Sequence, residues 1–349
     1  MRFLLRWLWR GVLALVLLVV VLLLPVAYVE LACVGPEAEP DGRVALVAPE
    51  WQRAESRTLT TYPEWHIVHA YDDYARVITD GDPHEFGYVR AITGFWTSLC
   101  PLKERASAMG GMTDNQKMTI YTIGVSFSAE LLAKAAYEET VGRIATLVRG
   151  PERAPLDDVS AARAAEYAQF LQQTPWYEWP FGEDIKILEN EATDNLRDRE
   201  RLFALRNEAF AKLQYAGVIA QAVEGIGADE LRMRSVVTGL DDGALAGIIG
   251  VDVIGPVEEG FEIETDRYRQ FTNLAEQIAS DGGNFVEIAG NDDILFTALS
   301  DQATHPEALF SFARQGYGDH RHLFVVPVNS LAERLRSMGD LRLEHIHDY

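Results

Sequence analysis

The chain has 349 residues and a formal net charge of −22. That length suits one large domain or two ordinary ones, and the acidity excludes a nucleic-acid surface, which needs clustered Lys and Arg. A hydrophobic content of 48% excludes a disordered chain, and two cysteines are too few for a disulfide framework.

The first element is apolar. Arg2, Arg6 and Arg10 precede the uncharged run "GVLALVLLVVVLLLPVAYV", Gly11 to Val29. At about 1.5 Å per residue it spans roughly 28 Å, close to the hydrocarbon thickness of a bilayer. Trp7, Trp9 and Tyr28 mark its two ends. A cleaved signal peptide has a shorter apolar core, about 7–15 residues, and a small-x-small site that "VAYVELACVG" lacks. In "ELAC", Glu30 stands where a lipoprotein box needs an aliphatic residue. The reading is an uncleaved anchor over residues 1–33, single-pass in the cytoplasmic (inner) membrane. Its arginines place the N-terminus in the cytoplasm and the rest of the chain outside. An oxidising compartment permits a Cys33–Cys100 bridge, and two unpaired thiols fit the sequence as well.

Residues 34–60 read as a Pro- and Glu-containing linker that lifts the folded part away from the bilayer. Residues 61–226 read as a helical domain. Thr61, Pro63 and Glu64 carry the signature of a helix start, as do Asp82, Pro83 and Glu85. Thr113 with Gln116 opens a third helix that runs to Gly150–Pro151. Apolar on much of its circumference, it belongs at the centre of a bundle, with Gly124 and Ser126 admitting a close neighbour. A fourth helix covers 158–173. A fifth covers 184–224, where Leu196, Phe203, Phe210 and Leu213 lie near heptad spacing and are expected to pack on the bundle.

After Gly227 the period changes. "LRMRSVVTG", "GFEIETD", "NFVEIAG", "DILFTALS", "HLFVVPV" and "LRLEHIH" read as strands, with helices over 266–283 and 329–339. "GNDD" is expected to be a hairpin turn, and no internal repeat is visible. The fold class is therefore α+β: a transmembrane helix, a helical bundle domain, and an α+β domain over 227–349 with a ferredoxin-like sandwich as its expected topology.

The densest candidate site is "TYPEWHIVHAYDDYARV", residues 61–77. On a helix His66, His69, Asp73, Arg76 and Asp80 share one stripe, and Ile67, Tyr71, Tyr74 and Ile78 another. His-x-x-His can hold a divalent transition metal, with Asp73, His84 or Glu85 as further ligands. The His-Glu-x-x-His pattern is absent, and a polar face hydrogen-bonded to the second domain explains the same residues. His320 with His322, and His345 with His347, would bring four imidazoles together if their segments paired; as edge or terminal residues they are expected to be solvated. In "PWYEWPF", Trp176, Tyr177, Trp179 and Phe181 form an aromatic loop suited to a glycan or peptide, or to packing between helices. The glycines of 243–255 lack the GxGxxG order and no GxxxxGK[ST] occurs, so no nucleotide is expected. "GVSFSAE" is not a hydrolase elbow, and turn chemistry accounts for Asn291 and Asp292 without calcium.

The functional expectation is a binding or assembly role in the cell envelope, alongside an envelope protein partner. The alternative is a metal-dependent hydrolase centred on His66, His69 and Asp73, with Glu85 or Asp72 as base.

Overall fold

The structure is a computed structural model and describes residues 2–37, 44–226 and 231–349. Helix α1 covers Arg2–Ala32. Among the described residues it is the one helix long and apolar enough to cross a membrane, over Trp9–Ala32. Its last turn is not a free tether. Val29 is buried in a core with Phe95 and Trp96 of the helix α3 (Tyr88–Ser107). Lys103 donates to the Val29 carbonyl at 2.9 Å and pairs with Glu30 at 3.2 Å, which satisfies the helix's C-terminal end. Cys33 is bridged to Cys100 of α3, with the two Cα atoms 5.1 Å apart. Gly35 passes α3 so closely that a Cβ there would lie 2.1 Å from the Glu104 carbonyl oxygen.

The expectation of a spacer over 34–60 is corrected accordingly. Beyond the residues outside the description, Leu46 and Val47 donate to Glu287 at 2.8 and 3.0 Å, and Arg53 N–H to the Ala289 carbonyl at 2.9 Å. The segment is docked along its visible length.

Helix α2 covers Arg57–Asp80 and carries Pro63 inside it. It begins before the expected Thr61 because Thr58 is caught between two strands. Its hydroxyl accepts from Leu295 N–H at 2.9 Å and donates to the His347 carbonyl at 2.5 Å. Pro83–Glu85 forms only a single 3₁₀ turn before α3. Helix α4 (Asp114–Tyr137) starts with the Thr113–Gln116 capping box, and at Gly124 a Cβ would sit 2.4 Å from the Phe95 ring. A π-turn at Glu138–Gly142 then leads into α5 (Arg143–Arg149) and sets Glu138 against Arg201 at 2.9 Å. Helix α6 is Pro155–Phe170.

The single long fifth helix is instead two, α7 (Phe181–Glu191) and α8 (Leu196–Ile226). Asn195 makes the break: its side-chain oxygen accepts from Asp198 N–H at 2.7 Å, an N-cap bond. The heptad residues do not pack on the bundle, since Leu196, Phe203 and Phe210 are all exposed. Helix α8 instead buries Arg197, Asp198 and Arg201. Arg197 meets Asp157 and Glu200, and Arg201 meets Glu138 and Glu200, so each buried guanidinium is paired more than once.

The expected boundary at 226/227 adjoins residues outside the description. Beyond it lie β1 (Arg232–Thr238), α9 (Asp242–Ala246), β2 (Val251–Val257), β3 (Gly260–Asp266), α10 (Arg269–Ser280) and β4 (Asn284–Ile288). Then follow β5 (Asp293–Ser300), β6 (Phe310–Ala313), β7 (His320–Pro327), α11 (Val328–Arg336) and β8 (Arg342–His347). The antiparallel sheets run β2-β3-β1-β4 and β6-β7-β5-β8. Strand for strand, the second unit repeats the first. Even the register shift recurs, between Val236 and Val237 in one and between Thr297 and Ala298 in the other. The two units share one core, in which Phe271, Ile278, Phe285, Phe296, Phe324 and Ile346 meet. At "GNDD" the chain does turn tightly, through Ala289 (φ 51°) and Gly290 (φ 84°) with an antiparallel bridge from Ile288 to Asn291, but β4 and β5 do not pair as a hairpin and lie in different sheets.

The repeats differ on their outer faces. At matching register positions the first sheet has Arg234, Glu262 and Glu264, joined as an ion ladder. The second has Leu295, Leu323 and Val325, which pack with Leu59, Tyr62 and Leu102 of α2 and α3. The helical region therefore docks on the second sheet.

Changing Cys100 to Ser is expected to cost about 2–4 kcal/mol of stability, because the bridge closes a separation of 67 residues. Thiol labelling of the unreduced protein reads the bridge directly. Neither cysteine should label, and labelling of both would contradict it.

Candidate functional site

The polar stripe of α2 is a buried side of that helix. His66, His69 and Asp73 are only 4%, 6% and 5% exposed, against the second sheet and α3. His66 Nε2 lies 3.0 Å from the Ala91 carbonyl. A carbonyl can only accept, so that nitrogen carries the proton and Nδ1 faces the Tyr62 hydroxyl at 3.4 Å. Burial pulls His66 down to about 4, so the ring is neutral at pH 7. His69 is pushed well below its ordinary value by burial, then by Arg321. Its Nε2 stands 3.7 Å from Glu344 without a hydrogen bond. Asp73 Oδ2 accepts from Gln315 N–H at 2.9 Å, while Oδ1 has no hydrogen-bond donor. Burial raises Asp73 to about 7, against the opposing pull of Arg321 and Arg314. Burial alone would raise Glu344, yet the guanidinium of Arg321, bound to both its oxygens, holds it below the carboxylate range.

Beside this stripe, β8 packs two histidines of its own against α2. His345 stacks on Trp65 with ring centres 3.4 Å apart and bonds Thr272 at 2.9 Å. His347 meets Tyr62 edge-on at 5.4 Å, and burial takes it down to about 3. The expectation that the terminal histidines are solvated is thereby corrected. The four imidazoles do not meet, because β7 and β8 flank β5 on opposite sides. His322 instead lies between Ser300 and Ser311, at 2.9 and 2.8 Å. His84 and Glu85 stay in the turn after α2, where the Glu85 carboxylate lies against Gly81 at the helix end. Among the described residues, no three His, Cys, Asp or Glu side chains are grouped to hold a metal ion.

Cavities line α2 on more than one side. One, of about 220 Å³, is lined by His66, Asp73, Arg90, Phe310, Phe312 and Arg321. Another, of about 380 Å³, is walled by rings that include Trp65, Tyr71, Phe127, Trp176, Tyr177 and Tyr215. The aromatic loop is thus split. Trp176 and Tyr177 face this cavity, whereas Trp179 and Phe181 are buried against Tyr167. Trp179 also donates to Asp184 at 2.6 Å.

Lys212 gives the aromatic cavity a polar base. It lies 3.0 Å from Glu130 and 3.1 Å from both Glu208 and the Tyr71 hydroxyl, over the rings of Tyr71 and Tyr167. Burial opposes its charge, but Glu130 and Tyr71 outweigh it, and its proton is held more tightly than an ordinary lysine's. Tyr71 comes from α2, and Lys212 and Tyr215 from α8, so only the Trp176–Tyr177 cluster was visible as a local signal.

Asp73 binds its proton more tightly folded, near pH 7, than unfolded, near about 3.9. Folding therefore takes up a proton between those values. Relative to Asp73→Asn, the wild type should gain stability as pH falls from 8 to 5, read by denaturant unfolding at each pH. His66 and His347 act oppositely in both proteins, since their lowered values remove stability as pH falls below about 6.5. A wild-type-minus-variant difference independent of pH would contradict the assignment.

The chain matches no protein-family model, no curated protein and no solved structure.

Proposed function

We propose that this is a single-pass protein of the cytoplasmic membrane whose folded part stands outside the cytoplasm, in the cell envelope. There it binds a small ring-bearing ligand, a sugar or an aromatic peptide side chain, in the aromatic cavity. The observation that carries this reading is the cavity itself. Its 380 Å³ falls within the range of small-ligand sites, about 300–1,000 Å³, and it combines aromatic walls with a few convergent polar groups.

Retention of α1 is favoured by its contacts. Val29, Glu30 and Cys33 all hold the folded part, and cleavage within that turn would strip them away. The bridge suits an oxidising compartment, and the three arginines ahead of the span suit a cytoplasmic N-terminus. Tyr121, which bonds Glu30, immediately precedes Thr122 and Ile123 of the cavity wall, so the cavity would lie close to the membrane surface. The paired sheets fit tandem ferredoxin-like units, in which α9 is a reduced first helix and a loop over 301–309 replaces it in the second unit. A metal-dependent hydrolase at His66, His69 and Asp73 has less support, because Nε2 of His66 is committed to Ala91 and, among the described residues, no three ligands are grouped.

Tryptophan fluorescence tests the binding role, using a panel of short oligosaccharides and aromatic dipeptides on the full chain in detergent. At least one ligand should bind saturably, and Trp176→Ala should weaken it about tenfold or more, consistent with about 1–3 kcal/mol per stacked ring. No saturable response, or equal affinity in the variant, would contradict the reading.

A further inference from the structure

The contacts of α1 with α3 show which end of the helical region faces the apolar span. Gly35 passes Glu104, Cys33 is bridged to Cys100, and Val29 enters the core that Phe95 and Trp96 share. The two helices therefore run in the same sense, and α1, followed back toward Trp9, leaves past the start of α3. Helix α4 is antiparallel to α3. Gly124 meets the Phe95 ring, Ser128 accepts from Trp96 Nε1 at 2.9 Å, and a loop over 108–113 joins the far ends of the pair. The end of the bundle nearest the span is thus made by the start of α3, the π-turn and α5. The second sheet docks at the opposite end of α3, on Leu102 and Ala106.

That end carries an exposed apolar face. Leu147 is 82% exposed, Ile144, Val148 and Val89 are 60–64% exposed, and Val141 is 47% exposed. Val141, Ile144 and Val148 stand at i, i+3 and i+7, with Leu147 beside them, while the opposite side of the same stretch buries Glu138, Gly142 and Ala145. Val89 joins the face because the Pro83–Glu85 turn just before α3 packs against the π-turn. A helix that is apolar on both sides belongs in a core or in a membrane. Charge keeps to the ends of α5: Arg143 donates to Glu139 at 2.9 Å, and Arg149 pairs with Asp82 at 2.9 Å and Asp157 at 2.7 Å. Residues 140–149 hold no acid, although the chain carries a net charge of −22, so the stretch itself does not repel lipid headgroups.

We propose that this face lies in the headgroup boundary of the same bilayer that α1 spans, as a second membrane contact beside the anchor. The inference rests on the membrane reading of α1. Place favours lipid as the occupant: with α1 in the bilayer, the bilayer is the apolar phase met at this end of the bundle. Lys103 on Glu30 and the Cys33–Cys100 bridge fix the last turn of α1 to α3, which keeps the face turned toward the membrane. An apolar helix face of this kind sinks about 5–10 Å into the boundary of headgroups and acyl chains. Arg143 can lie along it with its guanidinium returned to the headgroups.

The test is quenching of a site-attached fluorophore by lipid. Both native thiols are bridged, so one introduced cysteine takes the label. Three full-chain variants, Leu17→Cys in the span, Leu147→Cys in the face and Ser280→Cys on the exposed end of α10, are labelled with nitrobenzoxadiazole and placed in phosphatidylcholine nanodiscs. Nitroxide-bearing phosphatidylcholine should quench the Leu17 and Leu147 probes at least twofold and leave the Ser280 probe unchanged. A Leu147 probe no more quenched than the Ser280 probe, with Leu17 quenched, overturns the inference and leaves the anchor standing. A Leu147 probe with blue-shifted emission but no lipid quenching means that protein covers the face, and overturns it too. An unquenched Leu17 probe overturns the anchor reading and the inference with it.

Discussion

The structure depends on the burial of one helix, α2, on several sides at once. One side carries Leu59 and Tyr62 into the second sheet, where Leu295 and Leu323 receive them. Another carries Ala70 into the core that Phe95, Phe127 and the end of α1 share. A third presents His66, His69 and Asp73 to charged groups of β7 and β8. Each fully buried large apolar side chain contributes about 1.5–3 kcal/mol, so the apolar contacts offset the cost of sequestering the polar ones. The cavities owe a wall to this helix, which is why its placement decides what the molecule can bind.

Charge is buried here in two different ways. Around Arg197 and Arg201 every guanidinium meets more than one carboxylate, and the network joins α8 to the π-turn and to the start of α6. Such an arrangement holds elements in register without leaving a free charge. Around Asp73 the pairing is looser: one backbone donor reaches it and Arg314 comes no nearer than 3.8 Å, so burial raises its carboxyl to about 7. The first arrangement locks elements together at any pH near neutral, and the second leaves a carboxyl that titrates there.

Much of the layout was legible from local pattern. The six strands with clear alternation are present, and so is the Thr113–Gln116 cap. Strand β2 was hidden because Gly255 and Pro256 interrupt it at a sheet edge with a shifted register, and β6 because it has four residues. The repeat of the two sheets was hidden because matching positions carry opposite chemistry, as at Arg234 and Leu295. The stripe of His66, His69 and Asp73 was visible, but its partners were not. Gln315, which binds Asp73, is 242 residues away in sequence. Only the fold brings such residues together, and the same holds for Tyr215 and Lys212 beside Trp176.

Docking of the helical region on the second sheet makes the two one cooperative body, with Thr58 bonded to both β5 and β8. Native-state hydrogen exchange on the full chain in detergent addresses this most directly. Amides of α2 and of β5 and β8 should open with one common free energy, and Thr58→Val should lower it for all three together. Strands β5 and β8 that stay fully protected while α2 exchanges freely would contradict the account.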